Sequence, residues 1–437
     1  MARKFISVLG AGAGKEGKYE ECIYTWENNK SFKTEYIQEA IVNLFCDDWV
    51  KDDKVVIFTT ERSKELHWDK ENTLKDRLSQ KDFNLENIMI PFGSNSDEQW
   101  KLFDTIFNSL DYGDEVIVDI THSFRTIPMF LMIILNYAKL LKDIKVKGIY
   151  YGALAANNNK DEIRKAPIFD LTLYNLIMDF TNGITTFLNT GNSNILMNIY
   201  NEINLKEKEK ETYSVLSDTI SLLNDFSNAV MTCRGNINFL NEKNGCKKSI
   251  LTAHNEFKKK IEEYKSSEND NLAMALTPLF EKVSDDTKYF EEEDPVRVGI
   301  ATVRWCIKNG LVQQGITALE ETMKVLICVK LGLDYTKYKD RNLAKNLLNV
   351  QDKNYKDWKL NNTDKYQVNQ LKLKMGKNKI PDDLITLSKN LSKLRNDINH
   401  FGLNNKPLES EKIKKNLNKY FNDFIRQAEL INWKQYS

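Results

Sequence analysis

An α/β domain built on a mostly parallel sheet, followed by an all-α remainder, is the fold class this 437-residue sequence predicts. Three observations carry it. Short β-rich runs alternate with longer helical stretches through the first third of the chain. The β signal then disappears after about residue 170, where polar breaks separate one helical pattern from the next. Finally, 41% apolar and 29% charged residues suit a globular chain with a sizeable core, and no apolar run reaches the ~20 residues of a membrane span.

Taken in order, "KFISVLG" (4–10) is an apolar strand ending on glycine. A helix follows over "TEYIQEAIVNLFCDDW" (34–49), with Ile37, Ala40, Ile41, Leu44 and Phe45 at helical spacing. "DKVVIFTT" (53–60) and "NIMIPFG" (87–93) are strands, and "QWKLFDTIFNSL" (99–110) is an amphipathic helix. "DEVIVDITHS" (114–123) is a strand running into a polar loop. "PMFLMIILNYAKLLK" (128–142) is an apolar helix that tolerates Pro128 in its first turn, and "VKGIYYGAL" (146–154) closes the series as a strand. Strands separated by helices in this way form a parallel sheet covered on both faces, with ligands at the carboxyl ends of the strands.

Downstream, the charged stretches at 204–211 and 282–295 are candidate joints, and Pro295 opens a long helical pattern broken near Asn309-Gly310. In "PDDLITLSKNLSKLRNDINHFG" (381–402), Leu384, Leu387, Leu391, Leu394, Ile398 and Phe401 make one helical stripe. Length and composition together predict two or three domains. The net charge of +1 conceals an asymmetry: residues 331–437 hold 22 Lys and Arg against 12 Asp and Glu, which suits a polyanionic partner. The six cysteines are scattered without C-x-x-C pairs, so they read as inert thiols rather than a zinc site or disulfide framework. The N-terminal apolar segment is short and strand-like, which makes a cytoplasmic location the expectation.

Two loops carry chemistry. Gly12-Ala13-Gly14-Lys15-Glu16-Gly17 formally matches G-x-G-x-x-G, but "KYEECIYTW" follows as an extended or hairpin segment where a dinucleotide site needs a helix. The glycines either let backbone amides approach a ligand or permit a tight turn. "DITHSFRTIP" (119–128) places Asp119, Thr121, His122, Ser123 and Arg125 between a buried strand and a helix. Either this loop receives an anionic ligand, or Thr121 and Ser123 cap the helix while His122 satisfies a buried carbonyl. Near the C-terminus, Arg395 and His400 lie five positions apart. They form an RNA-cutting pair, or a solvated helix end with Arg395 paired to acidic neighbours and His400 near a cap at Gly402. His67 and His254 have no comparable partners and are read as surface residues.

"DITHS" resembles the DxTHG motif of CRISPR-associated proteins with a CARF sensor domain, with Ser123 in place of the usual glycine. "FISVLGAGAG", "YEECIYTWENN" and "FKTEYIQEAI" resemble the opening of the same proteins, and "RNDINH" resembles the R-x4–6-H element of their HEPN ribonuclease domain. The resemblance implies a Rossmann-like CARF domain at 1–175, a helical linker domain at 176–294 and a HEPN ribonuclease domain at 295–437. It also implies a cytoplasmic homodimer, or a higher homo-oligomer of dimers, that serves type III CRISPR antiviral defence. Such proteins bind a cyclic oligoadenylate, here cyclic tetra-adenylate in preference to cyclic hexa-adenylate, and then cleave single-stranded RNA without a metal. Gly10, Gly12, Gly14, Lys15, Thr121, His122, Ser123 and Arg125 are the expected ligand-binding residues, and Arg395, His400 and Asn396 the expected catalytic ones. The rims at Thr60, Glu61 and Arg62 and at Gly93 and Ser94 are weaker candidates. Alternatives are a sensor that binds RNA without cutting it, and a CARF domain that also degrades its activator.

A lone copy has poor geometry for cleavage. Positions five apart on a regular helix lie ~140° from one another, so Arg395 and His400 would converge only where two copies meet. Asn396, four residues before His400, shares its face.

Overall fold

The computed structural model describes residues 2–12, 16–27, 30–121, 127–153, 164–206, 211–235, 249–265, 271–291, 293–375 and 379–430. The chain divides into two compact units, Met1–Leu176 and Ile177–Ser437.

The first unit holds an eight-stranded sheet. Its strands are β1 (Arg3–Leu9), β2 (Cys22–Trp26), β3 (Lys30–Thr34), β4 (Lys54–Thr59), β5 (Asn84–Met89), β6 (Glu115–Asp119), β7 (Lys145–Gly152) and β8 (Arg164–Asp170), in the spatial order β3-β2-β8-β7-β6-β1-β4-β5. The run β7-β6-β1-β4-β5 is parallel throughout; β8 turns antiparallel to β7, and β3 is antiparallel to β2. Side chains alternate across the central strands. Phe5, Leu9, Val55 and Ile57 face α1 (Ile37–Phe45), α2 (Glu61–His67) and α3 (Leu74–Leu78), whereas Ile6, Val8, Val56 and Phe58 face α4 (Ser96–Asn108) and α5 (Ile127–Lys142). Both faces are therefore covered, which is why these strands read as continuous apolar runs.

The segment after the glycine loop is the β2/β3 hairpin, and among the described residues the first α-helix is Ile37–Phe45. An extended hairpin therefore stands where a dinucleotide site needs a helix to open, which counts against that reading. β8 went unread. Its seven residues "RKAPIFD" have charged ends and a central proline, and proline ordinarily argues against a strand inside a sheet.

The second unit is helical. Its elements are α6 (Thr172–Thr190, which begins in the first unit), α7 (Asn194–Lys206), α8 (Glu211–Met231), α9 (Ile250–Lys265), α10 (Asn271–Thr287), α11 (Pro295–Lys308), α12 (Val312–Leu331), α13 (Tyr338–Val350), α14 (Asn362–Met375), α15 (Asp382–Asn399) and α16 (Ser410–Leu430). Pro295 occupies the first turn of α11, where Asp294 accepts from the amides of Val296 and Arg297 at 2.9 and 3.0 Å. Gly310, at φ +70°, separates α11 from α12 as the Asn-Gly pair suggested. One core joins α12, α13, α15 and α16 through Leu319, Leu326, Leu347, Leu391 and Phe424. Trp305 of α11 reaches the earlier helices, with its ring 5.5 Å from Phe187 and 5.9 Å from Phe226.

Two sequence expectations need correction. His67 and His254 are buried, not on the surface. Phe401 leaves the stripe of α15: it adopts φ +58° after the helix has ended and is 90% exposed. Cys22, Cys46, Cys306 and Cys328 are buried, and burial pushes each thiol away from the reactive thiolate.

Candidate functional site

Chain order dictates where a ligand can bind the first unit. From β1 the sheet grows outward to β4 and β5, then the chain returns to the other side of β1 to build β6 and β7. Loops at the carboxyl ends therefore diverge around β1, leaving a crevice. A cleft of about 1350 Å³ lies there. Gly10, Ala11 and Gly12 line it after β1, Thr60, Glu61 and Arg62 after β4, Pro91 and Phe92 after β5, and Thr121 after β6. Lys18, Lys101 and Arg164 add positive charge, and Phe92 offers a large apolar surface that is 56% exposed.

Asp119 explains the start of the polar loop. Its buried carboxylate accepts from the Ser7 hydroxyl of β1 at 2.7 Å and from the Thr121 amide at 2.9 Å. A carboxylate that satisfies both donors fixes the turn to the neighbouring strand. The Thr121 hydroxyl in turn accepts from the Gly152 amide of β7 at 2.8 Å. Thr121 thus braces two strand ends as well as lining the cleft. The rim at Gly93 and Ser94 is occupied from within, since both amides donate to Glu98 at 3.0 and 2.8 Å.

Of the expected ligand residues, Gly10, Gly12 and Thr121 meet in this cleft. Gly14, Lys15, His122, Ser123 and Arg125 lie outside the described residues. Gly12 (φ +72°) and Gly17 (φ +65°) need their missing side chains. A Cβ on Gly12 would stand 2.3 Å from the Gly17 carbonyl oxygen, and one on Gly17 would stand 2.6 Å from that of Ala11. Tyr19, whose hydroxyl donates to the Gly10 carbonyl at 2.9 Å, was not singled out from sequence, although its place in the aromatic hairpin was visible.

In the second unit, α15 presents Leu384, Leu387, Leu391 and Leu394 to the core and ends at His400. His400 donates its amide to the Asn396 carbonyl at 3.0 Å, and Gly402 (φ +69°) completes the turn. Asn396 and His400 line a common cavity of about 520 Å³ with Lys393, Lys406 and Tyr420. The buried carboxylate of Asp397 holds the following loop through Asn404 and the Leu408 amide. Arg395 points elsewhere. Its guanidinium donates to both carboxylate oxygens of Glu320 on α12 at 3.1 and 3.2 Å, and Lys324 meets the same carboxylate at 3.1 Å. Gln313 reaches Asn399 at 3.5 Å, so the start of α12 does pack on the end of α15. Within one chain, then, His400 and Asn396 share a cleft, while Arg395 is held by an acidic neighbour.

A mostly parallel sheet covered on both faces, with a cleft at its strand ends that basic and acidic side chains share, defines an α/β domain of the doubly wound kind. Residues 5–154 match the family described as CRISPR system endoribonuclease Csx1, CARF domain. Over those residues the N-terminal unit is similar to the CARF domains that this family describes. The chain is also 27% identical over 263 residues to CRISPR-associated protein MJ1674 of Methanocaldococcus jannaschii, a match covering 60% of this chain but 36% of the relative's length. Among solved structures, Enterococcus italicus Csm6 bound to cyclic hexa-2'-fluoro-hexa-dAMP aligns with 99% of this chain and 94% of its own, at 11% identity and a TM-score of 0.33.

Proposed function

We propose that this protein is an endoribonuclease of type III CRISPR defence that a cyclic oligoadenylate switches on. The observation that carries the reading is the similarity of residues 5–154 to the Csx1 CARF domain, together with the cleft at the sheet's switch point. Loop amides around Gly10 and Gly12, with Lys18 and Lys101, receive phosphates, and Phe92 stacks on a base. Cyclic tetra-adenylate is the preferred ring and cyclic hexa-adenylate the alternative. Either ring is close to symmetric, so two copies of the cleft related by a two-fold axis hold it with the same contacts used twice. The exposed row Met129, Ile133, Tyr137 and Leu140 on α5 suits that pairing, because α5 follows directly from the loop after β6 and its face repeats at helical spacing.

Residues 295–437 act as the HEPN ribonuclease domain, with 176–294 as a helical linker. At pH 7 a His400 imidazole takes the proton of an RNA 2′-OH, the 2′ oxygen bonds to phosphorus, and the bond from phosphorus to the 5′ oxygen breaks. Water protonates that oxygen and recovers its proton from the His400 imidazolium, leaving a 2′,3′-cyclic phosphate, a 5′-OH and a neutral imidazole. Arg395 neutralises the phosphate and Asn396 orients the imidazole. No metal is needed for this sequence of steps. Two copies of the Arg395–His400 element form the site; Phe401 and Leu403, 90% and 83% exposed beside His400, are the apolar contacts a second copy covers.

The pairing of Arg395 with Glu320 favours a second reading, in which the helical unit binds RNA without cutting it. A fluorescent single-stranded RNA assay with cyclic tri-, tetra- and hexa-adenylates in EDTA separates the two. Cleavage stimulated by one ring and abolished by His400→Ala supports the nuclease. Silence with all three overturns it.

A further inference from the structure

His67 is the last residue of α2, the helix whose first turn carries Arg62 into the cleft. At 7% exposure the imidazole lies beneath the neck of the glycine loop, where the backbones at Ala11–Gly12 and Gly17 pinch together. Nδ1 is 3.3 Å from the Tyr36 hydroxyl, and the ring lies 4.5 Å from that of Tyr19, which itself holds Gly10. Nε2 is buried, and no well-aligned hydrogen bond reaches it. Its nearest hydrogen-bonding neighbours are the backbone groups of Ala11 and Gly17, and a Cβ on Gly17 would come within 3.5 Å of it.

A buried polar nitrogen whose partners are poorly aligned is costly, and a small shift of a neighbouring carbonyl towards it relieves that cost. The Tyr36 hydroxyl can serve either tautomer at Nδ1, and carbonyls only accept, so the loop backbone facing Nε2 selects the tautomer with the proton there. Burial also favours the neutral imidazole. We infer that His67 is a positioning residue for the activator: its Nε2–H fixes the neck of the glycine loop in the shape that receives a cyclic oligoadenylate. This rests on the ligand proposed for the cleft. The imidazole does not touch the ligand; it acts through the carbonyls of Ala11 and Gly17.

The test uses the full-length chain with cyclic tetra-adenylate and cyclic hexa-adenylate as probes. His67→Phe keeps a ring of similar shape and removes the donor, whereas His67→Gln keeps an N–H near the position of Nε2. His67→Phe is expected to raise the Kd and the half-activating concentration about tenfold while leaving the rate at saturating activator within about twofold, and His67→Gln to recover most of the affinity. Equal affinity for wild type and His67→Phe overturns the inference, as does an equal loss of affinity and saturated rate in both variants. If wild type binds neither ring, the reading of the cleft fails by itself. Amide hydrogen exchange at residues 16–19 of the unliganded chain then decides the role of His67: faster exchange in His67→Phe than in His67→Gln upholds it, and unchanged exchange overturns it.

Discussion

Arg395 and Glu320 form an ion pair 3.1 Å long between α15 and α12, and the carboxylate is almost wholly buried while the guanidinium is partly open to water. Lys324 shares that carboxylate. Glu320→Ala would leave Arg395 without its carboxylate, whereas Lys324 keeps Glu321 at 2.7 Å. The expected cost is about 2 kcal/mol, below the full value for a buried pair because Arg395 is partly solvated. A shift in the midpoint of urea unfolding, with unchanged slope, would register it; no shift would show that the pair contributes nothing measurable.

His400 caps a helix and lines a cavity, so it can be changed with little effect on packing. His400→Ala is expected to lower activator-stimulated RNA cleavage by at least ~100-fold, with activator affinity preserved. Calorimetric titration beside the cleavage assay checks both halves, and retained cleavage would remove His400 from the site.

At the glycine loop, Gly12→Ala forces a side chain into left-handed backbone and against the Gly17 carbonyl. The loop must open to accept it. Activator affinity should fall by more than about tenfold, a loss consistent with ~1–2 kcal/mol of left-handed strain before the steric overlap is counted. Titration of the variant measures this directly.

His254 supplies a pH dependence. It sits against Phe226 and Phe290 with Nε2 3.1 Å from the Thr287 hydroxyl, and burial pushes its pKa down to about 4. The unfolded chain binds this proton near pH 6.5, whereas the folded chain resists it until about pH 4. The contribution is therefore fully present above pH 6.5 and is lost as the pH falls towards 4, by about 3 kcal/mol in all. Between pH 7 and 4 the unfolding free energy of wild type should fall relative to that of His254→Phe by about 3 kcal/mol; parallel curves would contradict the assignment.

Leu140→Glu, on the exposed face of α5, should shift a dimer towards monomer without changing thermal stability, because the side chain is 82% exposed in one chain. Sedimentation velocity reads the change. An unaltered oligomer would place the pairing face elsewhere.

Much of the first unit was legible because its signal is local. The runs at 4–10 and 53–60 are apolar, of strand length, and end at Gly10 and Thr60, the run at 114–123 passes from a strand into a polar loop, and the hairpin after the glycine loop follows from extended residues where a helix would have been needed. β8 was not legible. It exists because β2 and β7 each offer it a free edge, and no feature of seven residues with a central proline announces that. Exposure of the histidines was misjudged for the same reason. A histidine among charged residues on a short helix looks solvated until the loop from β1 is laid over it.

The residue order alone settled the class of each half, the place of Gly10 and Thr121 just after strands, and the Leu stripe of α15, since periodicity and turn chemistry act over a few residues. Only folding decided that Asp119 would bind Ser7 across the sheet, that Glu320 would take Arg395 from 75 positions away, and that His67 would come to rest under Gly17. Those contacts depend on which faces meet when strands and helices pack, and a face is defined by its neighbours in space.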